Sequence, residues 1–156
     1  MKLHIIAVGQ KMPDWINAGY AEYAKRMPKE TSLHLIEIKP EKRSSGKTVE
    51  QMKSQERDRI LACIPLNSEI WALDERGEQL TTLGVAEHLR KTLGTGRNIC
   101  FIIGGADGLH DHIKSRGDKI FSLSRLTLPH GLVRVLLAEQ LYRAWSVTQN
   151  HPYHRE

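Results

Sequence analysis

Short apolar runs of β-strand length recur along this chain, each followed by a stretch with helical periodicity, and this alternation limits the fold more than any other feature. Leu3 to Val8 is the first such run and ends at Gly9. Pro13 then opens a helix in which Ile16, Tyr20, Tyr23, Ala24 and Met27 recur at helical spacing, and Pro28 closes it. Leu33 to Ile38 reads as a second strand, and Val49 to Cys63 as a charged helix ended by Pro65. Glu69 to Leu73 makes a third strand, with Asp74-Glu75-Arg76-Gly77 expected to turn after it. Thr82 is placed to cap a helix holding Val85, Ala86, Leu89 and Leu93, which stops at Gly94-Thr95-Gly96. Asn98 to Ile103 is the kind of continuous apolar strand that a parallel sheet buries on both faces. A short helix near Leu109 to Arg116 leads to Lys119-Ile120-Phe121. This order predicts one α/β domain over residues 1–156, with a mostly parallel sheet and helices on both faces.

A chain of 156 residues is long enough to bury a real core as one domain. Its 23 basic and 18 acidic side chains leave a net charge of +5, which favours an anionic partner such as RNA. A mildly basic soluble protein with no such partner explains the charge equally well. Cys63 and Cys100 sit in apolar surroundings without metal-ligand spacing, so they read as small core residues of a reducing compartment. No metal site is expected. No apolar run reaches bilayer length, and Met1-Lys2-Leu3 leads directly into a strand; the expectation is a cytoplasmic protein without a membrane segment.

Ligands of parallel sheets bind beyond the carboxyl ends of the strands, and three strand ends here carry suitable chemistry. Ile103 gives way to Gly104-Gly105-Ala106-Asp107-Gly108, a loop able to bring backbone amides close to a ligand. It is neither a Walker loop nor a dinucleotide fingerprint, and a plain strand-to-helix turn explains it as well. Leu73 ends the third strand, and Leu123 to Leu128 forms a short segment of alternating apolar and small polar residues before Pro129. Between Lys39 and Thr48 a polar loop carries Lys39, Lys42, Arg43 and Lys47 around Ser44-Ser45-Gly46; it is either a phosphate-contacting loop or a solvated connector, and the connector is favoured.

After the Pro129-His130 corner comes a long helix with Leu132, Val133, Leu136, Leu137, Leu141 and Trp145 on a wide apolar face. Part of that face suits a subunit interface. Glu139 and Arg143 are four residues apart, a spacing that also fits an ordinary surface ion pair. Arg134 and Arg143 are expected near the strand-end cleft, where a phosphate would meet them. His130, a single histidine at a corner, reads first as a structural group. The chain ends Asn150-His151-Pro152-Tyr153-His154-Arg155-Glu156, which combines stacking, hydrogen-bonding and proton-transfer groups where termini are usually plain and frayed. That tail suits a substrate-contacting arm; docking on a partner subunit is the competing structural role.

The segment "LTLPHGLVRVLLAEQLYRAWSVTQNHPYHR", with "IIGGADG" upstream and "KLHIIAVG" at the start, closely resembles the bacterial RlmH family. These are small SPOUT-class methyltransferases acting on N3 of pseudouridine 1915 in 23S rRNA. The resemblance extends over essentially the whole chain and is weakest from Lys39 to Gln79. It implies a C-terminal trefoil knot, which general connection rules would not propose. It implies S-adenosyl-L-methionine as methyl donor, held at Leu73, at Gly104, and along Leu123, Ser124, Arg125, Leu126, Thr127 and Leu128. It also implies a homodimer acting on 23S rRNA within the assembled ribosome. On that reading His154 is the leading base for the N3 proton and Tyr153 stacks on or orients the nucleobase. Arg143, oriented by Glu139, and Arg155 hold phosphate or developing charge, with Arg134 as a further substrate contact. Two rival functions stay open: a non-catalytic ribosome-binding or assembly factor, and a SPOUT methyltransferase acting on another RNA position.

Overall fold

The structure is a computed structural model that describes residues 2–42 and 46–155. Among the described residues five strands and five α-helices alternate: β1 (Leu3–Val8), α1 (Asp14–Ala24), β2 (Leu33–Ile38), α2 (Val49–Cys63), β3 (Ser68–Gln79), α3 (Thr82–Thr95), β4 (Asn98–Ile103), α4 (Asp111–Arg116), β5 (Lys119–Ser122) and α5 (His130–Thr148). The strands form one sheet in the order β2-β1-β4-β3-β5, and every adjacent pair is parallel. The expected α/β architecture is therefore present. Residues 43–45 of the polar loop, Arg43-Ser44-Ser45, lie outside the described residues.

Alternation along the strands divides the core into two layers. Leu3, Ile5 and Ala7 of β1, with Trp71, Phe101 and Phe121, face α1, α3 and α5. Ile6 and Val8, with Ile70, Ala72, Cys100 and Ile102, face Ile60 of α2 and Ile113 of α4. β1 and β4 are buried almost throughout, which explains why their sequences read as continuous apolar runs. Cys100 lies inside the second layer, where burial pushes its thiol up to about 12, and Cys63 is half-buried at the end of α2. Both are free thiols.

Local signals place the helix ends. Thr48 accepts a hydrogen bond from the Gln51 amide while the Gln51 side chain accepts one from the Thr48 amide, a reciprocal cap that starts α2. Thr81, not Thr82, caps α3 by accepting from the Gly84 amide at 3.0 Å. Gly96 closes that helix at φ 72°, a left-handed conformation that suits glycine.

The third strand departs from expectation. Asp74-Glu75-Arg76-Gly77 does not end it; β3 bulges there and continues to Gln79. Leu73 and Glu78 both pair with Phe121, so the four intervening residues arch out of the ladder and return. A tertiary contact explains the difference, because β5 supplies backbone partners that the isolated segment lacks. Gly77 permits the return: a Cβ there would lie 2.8 Å from the Ile120 carbonyl carbon and oxygen. Gly77→Ala is expected to cost about 2 kcal/mol through overpacking, read as a lowered midpoint in urea denaturation; an unchanged midpoint would show that the bulge accommodates a side chain.

Candidate active site

The bulge of β3 and the carboxyl ends of β4 and β5 converge on a pocket of about 450 Å³, a volume suited to a cofactor-sized molecule. Its walls include Leu73 and Asp74 from β3, Ile103, Gly104 and Ala106 after β4, and Leu123, Ser124, Leu126, Thr127 and Leu128 after β5. The structure thus brings together seven of the eight positions expected to hold the cofactor. Arg125 departs from the set: its guanidinium Nε donates to Gln79 Oε1 at 3.1 Å, and the residue does not line the pocket. In a bent segment successive side chains leave in different directions, so sequence adjacency did not make Arg125 a wall residue.

The loop after β4 is a tight turn in which the Gly108 amide donates to the Gly105 carbonyl at 3.0 Å and Gly108 takes φ 79°. At Gly104 a Cβ would stand 2.7 Å from the Gly108 carbonyl carbon. The pocket floor is therefore bare backbone, close enough for a ligand to meet peptide groups directly. The Leu123–Leu128 segment is a bent loop beyond β5, held by side chains. Ser122 Oγ donates to the Ser124 carbonyl at 2.9 Å, the Leu126 amide donates to Ser124 Oγ at 2.9 Å, and Thr127 Oγ1 donates to Glu75 Oε2 at 2.8 Å. The bulge of β3 and the loop after β5 thus brace one another across the pocket mouth.

Asp74 forms an ion pair with Lys114 at 2.7 Å and accepts from the Arg76 amide at 2.8 Å. Partial burial works against its ionised form, but the Lys114 ammonium and the Arg76 amide outweigh that cost and lower its pKa. Neither Lys114 nor the pairing was legible in the sequence, because α4 reaches β3 only through the fold.

At the opposite end of α5 the tail folds back on its own chain. His151 donates its amide to the Ser146 carbonyl at 2.9 Å, and the Tyr153 amide donates to His151 Nδ1 at 3.2 Å. Tyr153 Oη donates to Glu139 Oε1 at 3.1 Å, and the same oxygen accepts from Arg143 Nε at 2.8 Å. The Arg143 guanidinium lies 4.7 Å from the Tyr153 ring centroid, and Tyr142 packs on Tyr153 with centroids 4.7 Å apart. Burial, followed by the Glu139 carboxylate, raises the Tyr153 pKa, so the phenol stays a proton donor. Arg26 from α1 joins this stack over Tyr23, Tyr142 and Tyr153 at 5.2, 5.6 and 5.9 Å. Its part was missed because only tertiary packing brings α1 to the tail.

Two expected site residues, the substrate contact Arg134 and the base His154, lie inside the fold. Arg134 is fully buried, with Nη1 donating to Glu37 Oε2 at 2.7 Å and Nη2 donating to the Gly9 carbonyl at 2.8 Å. It ties α5 to the ends of β1 and β2 and does not face a phosphate. His154 is only 8% exposed, packed inward, whereas His151 and Arg155 are on the surface. The tail as docked presents His151, not His154, to solvent. Arg143 also lies about 20 Å along α5 from His130 at the pocket wall, at 1.5 Å per residue. The Glu139–Arg143–Tyr153 cluster and the pocket of one chain are therefore separate places. Among the described residues no group of histidine, cysteine or carboxylate side chains could hold a metal ion, and no helix is long and apolar enough to cross a membrane.

A strand-end pocket on a parallel sheet, floored by a glycine turn, is the arrangement of a nucleotide-like cofactor site. Residues 1–154 match the family described as "Predicted SPOUT methyltransferase". At 59% identity over 99% of both chains, the sequence is similar to the ribosomal RNA large subunit methyltransferases H of Paraburkholderia phymatum and Paraburkholderia xenovorans. That of Burkholderia thailandensis is 57% identical over the same shares. Among solved structures, a "probable methylase family protein" from Haemophilus influenzae shares the fold at TM-score 0.53 and 14% identity, covering 97% of this chain and 68% of that one. Another, concerned with the 2-OH methylation of C/U34 on tRNA, aligns at TM-score 0.50 and 16% identity over 93% and 97%. The chain belongs to the RlmH family of SPOUT methyltransferases.

SPOUT methyltransferases use S-adenosyl-L-methionine, and the pocket residues fit it. Leucine walls at positions 73, 123, 126 and 128 offer an apolar seat, and a Cβ at Gly104 would crowd the turn that forms the floor. The Asp74–Lys114 pair gives a test of how the mouth is held. Its folded-state pKa is depressed, so its stabilisation is complete above the unfolded value near 3.8 and is lost as pH falls through the lower folded value. Thermal melts of the wild type and Asp74→Asn should differ near neutral pH and converge below that window. A difference that persists in strong acid would remove the ion pair as its cause.

Proposed function

We propose that this chain methylates N3 of pseudouridine 1915 in the 23S rRNA of the assembled ribosome. Its family makes it a large-subunit rRNA methyltransferase, and the glycine-floored pocket at the bulge of β3 and the ends of β4 and β5 carries the reading, since it fits the methyl donor by shape and chemistry. The bound donor supplies a sulfonium methyl group that is already activated. The protein's task is then alignment and proton removal. As the new N3–carbon bond forms and the sulfur–carbon bond breaks, the N3 proton must leave to a base.

The pocket residues Leu73, Gly104 and Leu123 through Leu128, Arg125 excepted, hold the donor in this reading. The tail supplies substrate chemistry from a second copy of the chain. The roughly 20 Å between a chain's pocket wall and its own Arg143 supports this arrangement. So does the exposed apolar surface at Leu126 and Leu136, 73% and 37% accessible on either side of the corner. A homodimer with each tail directed to its partner's pocket joins the two halves of the chemistry. The trefoil knot expected of the family belongs to the same proposal, as the threading that sets α5 between α1 and α3.

Within the tail, Glu139 orients Arg143 and Tyr153, which face the nucleobase and its phosphate, and Arg155 adds a second phosphate contact. His154 acts as the base once its own ring turns out from the packed position that it holds here, Tyr153 staying on Glu139. His154→Ala is expected to cut methyl transfer by roughly 100-fold with donor affinity retained, measured by labelled-methyl incorporation and calorimetry. Wild-type turnover in that variant would remove His154 as the base. Arg155→Ala should weaken binding to ribosomal particles without moving the melting temperature, whereas Arg134→Met should lower the melting temperature. Mapping the methylated nucleotide by mass spectrometry on ribosomes that lack the modification tests the whole reading. Label in tRNA alone would favour another RNA target, and no label with no donor binding would favour a non-catalytic ribosome factor.

A further inference from the structure

Arg26 belongs to neither the pocket nor the tail, yet it lies against the rings on which the tail docks. It stands just beyond α1, where its amide donates to the Tyr23 carbonyl at 3.1 Å and closes the last turn. Its guanidinium carbon is within 6 Å of three ring centroids, those of Tyr23, Tyr142 and Tyr153. Glu22, one turn back on α1, accepts from Arg26 Nη2 at 2.7 Å and pairs with Lys25 at 2.8 Å. Among the described residues the remaining guanidinium N–H groups have no partner. Arg143 borders the same Tyr153 ring at 4.7 Å and is itself held by Glu139.

A guanidinium that served only to staple α1 to α5 would be enclosed, as Arg134 is. Arg26 instead keeps 36% of its side chain open, beside a partly exposed Arg143. Lys25, Arg26 and Arg143 are opposed by Glu22 and Glu139 alone, which leaves one positive charge in excess. An arginine fork with free N–H groups matches the paired oxygens of a phosphate, and aromatic rings beside it offer a surface for a base. Resting on the methyl-transfer reading, we infer that Arg26 binds a backbone phosphate of the rRNA strand that carries the target nucleotide. Glu22 fixes the orientation of the guanidinium, and the tyrosine rings shield one side of it from water. The surface that meets the RNA therefore extends from the tail onto the end of the first helix.

The test compares the full-length wild type with Arg26→Gln, Arg26→Lys and Lys91→Gln, the last removing one exposed charge from α3. Labelled-methyl transfer to ribosomes lacking the modification gives kcat and the KM for the particle. Binding to the same particles is followed across a range of salt concentrations, with donor affinity and melting temperature measured alongside. Arg26→Gln should raise KM roughly ten-fold, the size of one lost hydrogen bond to a charged group, with kcat and donor affinity unchanged. It should also lower the slope of log affinity against log salt by about 0.7 to 0.9, the share of one phosphate. Arg26→Lys should keep that slope, because it keeps the charge. An unaltered slope in Arg26→Gln would overturn the inference, and so would an equal loss in Lys91→Gln, which would trace the effect to net charge. A fall in melting temperature and kcat at constant KM would overturn it as well and leave Arg26 as a support for Tyr153. Wild type that neither binds nor methylates the particles would instead bring down the function on which the inference rests.

Discussion

The close approach of the β3 bulge to the carboxyl ends of β4 and β5 is the constraint on which the rest depends. These segments lie side by side, and their connections must cross a small space without filling it. Gly77 lets the bulge of β3 pass against the backbone of Ile120, and Gly104 lets the turn after β4 fold against Gly108. A side chain at either position would collide with that facing backbone and push the connection out of place. The cavity is therefore a consequence of backbone packing more than of any particular polar side chain. A cofactor held there meets peptide groups and leucine walls, which suits a donor whose reactivity is already built into its sulfonium.

Around this point the charged groups have mainly architectural work. Arg134 is the clearest case, since its guanidinium is spent on Glu37 and the Gly9 carbonyl inside the fold. Burying the guanidinium costs desolvation that its bonds to the exposed Glu37 carboxylate and to the Gly9 carbonyl offset, so the contact fixes geometry more surely than it adds stability. Here it holds the start of α5 against the ends of β1 and β2, and so positions His130 at the pocket wall. Glu139 plays a related part at the other end of the helix. It gathers Arg143 and Tyr153 into one cluster, and its carboxylate adds to burial in raising the Tyr153 pKa. The long helix thus carries the pocket wall at its first turn and the cation–aromatic cluster along its second half, too far apart to act together within one chain.

Much of this was legible from residue order. The strands Leu3–Val8, Leu33–Ile38 and Asn98–Ile103 and the helix Val49–Cys63 appear with the expected bounds, because their signals are local: continuous apolar runs, a Thr48 cap and a proline stop. Seven of the eight positions that the family resemblance implies for the cofactor line one pocket, beside strand ends that the same apolar runs locate. What failed were the features decided by contact. Asp74-Glu75-Arg76-Gly77 looks like a turn and becomes a bulge because β5 pairs on both sides of it. Arg125 sits in the right segment and turns away to Gln79. Arg134 looks like a surface cation and is the most enclosed charge in the core.

The sequence by itself determined the alternating α/β plan, the three strand ends that bear chemistry, and the unusual composition of the tail. These follow from periodicity, caps and residue type, which act over a few neighbouring residues. Only the tertiary structure decided which groups face a cavity and which are consumed by the fold. Burial and hydrogen-bond partners depend on residues far away in the chain: Gly9 and Glu37 for Arg134, Glu139 for Tyr153, Lys114 for Asp74.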